Sequence, residues 1–547
     1  MSPPGASPPA LALLNGRVYT LDRQRPVAAA LFAWQGRVVH AGGEAEVRAL
    51  AAQAPGCITL DLGGGCAVPG LTDSHIHFLA YGFNLAGVAL SDAPTQEVAL
   101  ERVRQAVRAA GPGEWIEGWG WDHSIWPGRR FPHRGSLDAV SPATPVALRR
   151  KDGHLVWVNG VALAAAGVTR DTPDPEGGRI GRDPDGAPSG LLFERAQDLI
   201  FRAVPPPGAA RADAAARRAQ AALHRLGITA VHIPEGADTL GALQRLNAAG
   251  DLRLRATAML TAEGLDAALS LGLRSGLGDD FLRIGPVKLF MDGSLGSETA
   301  AMLAPFEGQP HNRGLLTLQP EALRDAVGRA AGGGLACAVH AIGDRANRLV
   351  LDAFERTRDR WAPAGLRQRI EHVQVIHPDD LPRLAALGVI ASVQPLHATQ
   401  DMDLVDRLWG ERGRSAYAFR SLLDSGAVLA FGSDAPVESP DPLAGLYAAV
   451  ARRRADGRPP EGWYGAERID AAAALRAYTA GAAFAAGLER HAGTLAPGMW
   501  ADVTVLSRDV LAQPAETILE TRVTHTVCAG EVVYAAGGAA PGAPPAT

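Results

Sequence analysis

Six residues of metal-binding type stand where apolar runs end in this 547-residue chain. His75 and His77 follow CAVPGLTDS, Lys288 lies in GPVKLFMDG, His340 ends ACAVH, His372 sits in RIEHVQ and Asp434 ends AVLAFGSD. Histidines at i and i+2 of an extended segment point to the same side. Neutral imidazoles and carboxylates are ligands for zinc and similar ions. Each piece alone is weak, because an HxH pair or a lone histidine at a strand end is more often a packed, satisfied side chain. The ordered set of HxH, Lys, His, His and Asp is far more specific, and the chemistry it can carry is that of a metal centre. Lysine adds a second clue: it occurs twice, at Lys151 and Lys288, against 53 basic residues in all. Arginine cannot lose its proton in a protein, whereas a buried lysine can become a neutral amine.

The elements that must position these residues are legible from periodicity. Strands are expected at CAVPGLTD, GITAVHIPE, LRATAML, IGPVKLFMDG, LACAVHAIGD, RQRIEHVQV, GVIASVQP and AVLAFGSDAP, with helices such as EALRDAVGRAAG and PDDLPRLAAL between the later ones. Continuous apolar strands alternating with helices predict a parallel sheet, and eight such units predict a (β/α)8 TIM barrel. Barrels of this kind carry catalytic residues at the carboxyl ends of different strands, so the six residues converge on one mouth. Short β segments at both ends (residues 1–67 and 490–547) predict a small β-sandwich built from both termini, leaving 68–489 for the barrel. The distance from the first strand to the second requires an insertion, at about 82–200, that acts as a lid or substrate-binding region.

Composition excludes several classes. The formal charge of −5 leaves no electrostatic footprint for nucleic acid or an anionic membrane. No apolar stretch is long enough to span a bilayer, and the beginning lacks the basic region of a signal peptide. Four cysteines without CxxC spacing give no disulfide framework. The expectation is a soluble, cytoplasmic protein with a small-molecule substrate. A homodimer is common for such folds, but no interface is readable. Neither a P-loop nor a GxSxG elbow is present.

Candidate substrate contacts fall into two groups. Trp121, His123, Lys151 and His154 lie in the insertion, where they read equally as pocket wall or as the insertion's own core and turns. Asp292, just past Lys288, either fixes that strand end or lines the pocket. Gln394 and His397 follow the seventh strand and face the mouth, as substrate contacts or as supports to the ligands. His232 reads as packing or pocket lining.

VPGLTDSHIHFLAYG, KDGHLVWVNGVAL, PDPEGGRIGRDPDGAPSGLLFE, VKLFMDGSLGSETAAMLAPF, VHAIGDRAN, RIEHVQ, ASVQPLH, GSDAPVESPDP and AGTLAPGMWADVTVLSRD together span nearly the whole chain. With these motifs the sequence resembles the metal-dependent amidohydrolase superfamily, in the YtcJ-like branch that includes N-substituted formamide deformylases. The resemblance implies two divalent ions, zinc by default. His75, His77 and Asp434 would hold the more buried one, and His340 and His372 the other. Lys288, as a carbamate, would bridge them. It further implies hydrolysis of a non-peptide amide-type C–N bond, with Asp434 passing a proton to the leaving amine. Two alternatives stay open: the same centre acting on a cyclic amide, ester or carbamate, and a non-catalytic metal-binding protein.

Overall fold

The computed structural model describes residues 10–537 apart from 112, 152, 154, 176–177 and 206–207. All eight apolar runs contribute to one parallel sheet in chain order: β1 (Leu71–Asp73), β2 (Ile228–Ile233), β3 (Arg255–Thr261), β4 (Leu282–Phe290), β5 (Cys337–Ala341), β6 (Arg369–His372), β7 (Ile390–Val393) and β8 (Leu429–Phe431). The first and last strands meet where Ser74 N–H donates to the Phe431 carbonyl at 2.9 Å. This is the sheet of a (β/α)8 barrel. Its β1, β6, β7 and β8 strands are buried at every residue, which is why their sequences run apolar instead of alternating. The intervening helices are amphipathic: Asp344–Arg356 buries Asn347, Val350, Leu351 and Phe354, spaced by three and four residues along one face.

The run CAVPGLTD divides between two sheets. Cys66–Pro69 pairs with Val503–Leu506 of the carboxyl-terminal segment, and only Leu71–Asp73 enters the barrel. Gly70 makes the change of sheet, where a Cβ would sit 2.2 Å from Thr229 Oγ1. Both termini thus share a six-stranded sheet, ordered Glu531–Ala535, Val523–Cys528, Val503–Leu506, Cys66–Pro69, Arg17–Tyr19 and Val27–Ala28. A four-stranded sheet of Arg37–Gly42, Ala30–Trp34, Leu11–Leu14 and Ile58–Asp61 accompanies it. Leu11, Leu13 and Leu31 of the second sheet share one apolar core with Val18, Ala67, Val503, Val505 and Val527 of the first.

By compactness the chain forms two units, Met1–Phe78 with Ala219–Thr547, and Leu79–Arg218. Residues 82–200 fall within the second. It has its own six-stranded sheet, ordered Gly178–Arg182, Pro188–Glu194, Leu155–Val158, Val146–Arg150, Ile116–Trp121 and Val88–Ala89. Its core gathers Trp121, Trp126, Trp157, Leu137 and Leu148. Among the described residues, no helix is long and apolar enough to cross a membrane.

Candidate metal centre

The HxH segment is held between β2 and the residues that follow β8. Ile76 N–H donates to the His232 carbonyl of β2, His77 N–H donates to the Ala435 carbonyl, and Asp434 N–H donates to the His75 carbonyl at 2.7 Å. Asp73 adds a stitch, with Oδ1 accepting from the amides of His75 (3.1 Å) and Ser433 (2.9 Å) and Oδ2 from the Ser433 hydroxyl. Burial pushes its carboxyl up to about 7 against these donors. Gly432 permits the approach, since a Cβ there would lie 2.5 Å from His75 N. Asp434 and His372 have φ of 62° and 77°, left-handed values that cost a non-glycine residue about 1–3 kcal/mol each and persist only where surrounding contacts impose them.

The side chains converge as their order along the barrel predicts. His75 Nε2 and His77 Nε2 lie 3.6 and 3.2 Å from Asp434 Oδ1. Ring centroids are 5.0 Å apart for His75 and His372, and 4.6 Å for His340 and His372. His75, His77 and Asp434 place three ligand atoms within 4.8 Å of one another, and so do His372, His397 and Asp434. Hydrogen bonds select which ring nitrogen faces the cluster. His75 donates Nδ1–H to Glu371 at 2.5 Å, and His372 donates Nδ1–H to Gln394 Oε1 at 2.8 Å, leaving Nε2 of each as the lone-pair atom. His340 is the reverse, with Nε2–H donated to the Gly293 carbonyl at 2.9 Å and Nδ1 left free.

Electrostatics keep His340 and His372 in the form that a metal needs, whereas for His77 burial is outweighed by the bond to Asp434, which raises it. Burial lowers His340 to about 3 and His372 well below the ordinary imidazole range, so both are neutral at pH 7. Burial lowers Lys288 to about 8, partly opposed by Glu371 and Asp434. Burial would push Asp434 up, but the bond to His77 and the neighbouring imidazoles hold it well below the usual carboxylate range. Lys288 Nζ and His397 Nε2 are buried with no hydrogen-bond partner, while Asp434 Oδ1 faces His77 Nε2 at 3.2 Å. Orphaned buried polar atoms are costly, and Lys288 Nζ and His397 Nε2, near Asp434 and the neutral His340 and His372, fit part of the ligand shell of a divalent ion.

The other sequence candidates separate. Asp292 is no pocket wall: its two oxygens accept from the amides of Ile342, Gly343 and Ala301 at 2.8–3.0 Å, fixing the loop beyond β5. Gln394 is buried and orients His372. His397 is buried, 3.4 Å from Gln374 Nε2 through Nδ1, with Nε2 4.0 Å from Asp434 Oδ2. It therefore faces the cluster as a candidate ligand as well as a candidate substrate contact. His232 lies inside the barrel, with Nδ1 2.9 Å from Arg369. In the insertion, Trp121 is fully buried and donates Nε1–H to the Leu148 carbonyl, so it is core and not a substrate surface. His123 stacks on Phe131 with ring centroids 3.9 Å apart, and Lys151 is exposed. His154 lies outside the described residues.

Asp73, Arg369 and Glu371 were not among the sequence candidates. Glu371 accepts from His75 and Arg369 (2.6 Å), and Arg369 also donates to the Ser74 carbonyl and Ser392 Oγ. Burial opposes the Glu371 charge, but Arg369 and His75 hold it ionised, well below the usual range. The available signal was a pair of charges at i and i+2 inside the apolar run RQRIEHVQV, both of which point into the barrel.

Residues 59–534 match the family model described as "Amidohydrolase family". The chain is 32% identical to the putative amidohydrolase YtcJ of Bacillus subtilis (strain 168), covering 95% of this chain and 98% of that protein. It is 30% identical to the N-substituted formamide deformylase of Arthrobacter pascens, covering 96% and 98%. A crystal structure of an uncharacterized metal-dependent hydrolase from Pyrococcus horikoshii OT3 superposes with a TM-score of 0.79 at 31% identity, covering 92% of this chain and 99% of that one.

Proposed function

We propose that this chain, which belongs to the amidohydrolase family and is a hydrolase of carbon–nitrogen bonds, cleaves an N-substituted amide or formamide with two divalent ions at the carboxyl end of its barrel. The carrying observation is that Lys288 Nζ is buried without a hydrogen-bond partner, within electrostatic reach of Asp434, whose Oδ1 lies 3.6 and 3.2 Å from the Nε2 atoms of His75 and His77. The similarity to a formamide deformylase supports the substrate class. His75, His77 and Asp434 would hold one ion and His340 and His372 the other, with zinc the expected metal. Lys288 would bridge them as a carbamate: the neutral amine bonds to the carbon of carbon dioxide and a proton leaves, a step that arginine cannot make. When bound, the ions supply Lewis acidity and lower the pKa of water from about 15.7 toward about 7.

The chain's own groups do the rest. Asp434 takes a proton from the attacking water and gives it to the departing nitrogen, because an amine leaves and an amide anion does not. Glu371 and Gln394 hold the Nδ1 protons of His75 and His372, fixing the orientation of both rings. The test is a panel of formamides, N-acyl amino acids, lactams, esters and carbamates. Turnover of N-substituted formamides or acyclic amides above the rest supports this reading, and activity confined to lactams, esters or carbamates overturns it.

A further inference from the structure

Tyr417, in the segment between β7 and β8, is 1% exposed and has φ of 50°. A left-handed backbone at a bulky residue persists only where its surroundings impose it. Three hydrogen bonds do so here. Its N–H donates to the Gln374 carbonyl at 2.7 Å, and its carbonyl accepts from Nη1 of the buried Arg452 at 2.9 Å. Its hydroxyl donates to Asp401 Oδ2 at 2.5 Å. Burial and the Asp401 charge push the phenol well above its ordinary range, so it keeps the proton that it donates. Two of those partners are what holds His397. Gln374, in the loop beyond β6, faces His397 Nδ1 with Nε2 at 3.4 Å. Asp401 N–H donates to the His397 carbonyl at 2.8 Å and ends the short helix Pro395–Gln400 that carries it.

His397 Nε2 is buried without a hydrogen-bond partner, 4.0 Å from Asp434 Oδ2, and its ring lies 15° from parallel with that of His372. A contact of 3.4 Å holds an imidazole loosely, so the placing of the two flanking backbones decides where Nε2 points. We propose that Tyr417 is a positioning residue, which joins the loops beyond β6 and β7 at Gln374 and Asp401 and so aims His397 at the centre. It acts through His397 and not on the reacting atoms. As a ligand or as a substrate contact, His397 serves only if Nε2 is held in place, since a displacement of about 1 Å can cost on the order of 100-fold in rate. The use of His397 in turnover rests on the amide reading; its aiming does not.

The test separates aim from turnover. The first readout is NMR of the full chain as purified, isotopically labelled at its histidine ring nitrogens, with His397 assigned by the loss of its signals in His397→Asn. Tyr417→Phe keeps the ring and removes the bond to Asp401. It is expected to shift the His397 nitrogens and to leave in place those of His224, which bonds to the Arg253 carbonyl. Tyr19→Phe, which removes a hydroxyl bonded to Asp509 in the terminal sheet, is the control and is expected to move neither. Where Tyr417→Phe does not fold, Asp401→Asn, which gives the hydroxyl a neutral acceptor, replaces it. Unmoved His397 signals overturn the proposal. The second readout is kcat for whichever compound of the panel is turned over fastest. Tyr417→Phe is expected to lower it about tenfold, and to lower it no further in a His397→Asn background. An equal loss in both backgrounds is what a purely structural role gives, and it overturns the proposal. Shifted His397 signals in a chain that hydrolyses nothing in the panel keep the positioning role and remove the amide reading.

Discussion

The two ends of the barrel bury charge in opposite ways. At the amino end of β3, Arg255 donates to both oxygens of Asp502 at 2.6 and 3.0 Å and to the Asp280 carbonyl at 2.7 Å. Asp502 also accepts from the Ala529 amide, and the guanidinium carbon lies 3.7 Å from the centre of the Trp500 ring. Burial alone would lower Arg255, but Asp502 outweighs it, so the guanidinium stays charged. At the carboxyl end, Lys288 Nζ is equally buried and has no hydrogen-bond partner, and Asp434 faces the imidazoles of His75, His77 and His397. A buried charge with every partner present ties the barrel to the terminal sheet. One without partners is tolerated only where something else completes it. Satisfaction, and not burial, thus distinguishes the structural charges from the reactive ones.

That contrast can be broken from either end. The largest effect is expected for Asp434→Asn, which keeps the size of the side chain and removes the base. Turnover should fall about 10³-fold or more while the thermal midpoint stays near wild type, read by steady-state kinetics and calorimetry. Arg255→Met should do the reverse. Leaving Asp502 buried and unpaired costs about 3–5 kcal/mol in urea unfolding, with kcat of the folded fraction little changed.

The amino end also predicts an acid limb. His224 is buried and donates Nε2–H to the Arg253 carbonyl, and burial lowers it to about 4. Between the unfolded pKa near 6.5 and about 4, the unfolded chain binds the extra proton, so stability falls as pH drops through that window. His224→Gln, which can still donate, should recover part of that loss, up to about 3 kcal/mol at pH 4.5, and change little at pH 7.5. The smallest effect is expected for Glu371→Gln, which keeps an acceptor for His75 Nδ1–H but loses the charge. Metal affinity should weaken about 10–100-fold by competition with a chelator.

The sequence made one side of this contrast readable. The eight barrel strands stood out because both faces are buried and their runs stay apolar. His75, His77, Lys288, His340, His372 and Asp434 stood out because each ends such a run. What positions them did not: Glu371 is 296 residues from the His75 it holds, and Asp73 reaches 360 residues to Ser433. Those partners become neighbours only when β1 meets β6 and β8 in the closed barrel. Residue type misled in the insertion, where Trp121 has the size of a pocket wall and the burial of a core residue. Trp and His there pack on one another, as His123 does on Phe131, and spacing alone does not separate a packed ring from an open one.

The most direct test of the contrast is the metal content of the full chain by elemental analysis, after purification with bicarbonate and without chelator. Buried Lys288 without a hydrogen-bond partner, next to Asp434 and its histidines, predicts two divalent ions per chain, with one retained when Lys288 is replaced by Met. One ion per chain in the wild type would contradict the bridging role of Lys288. A metal-free chain after reconstitution would contradict the reading of the carboxyl end as a metal centre.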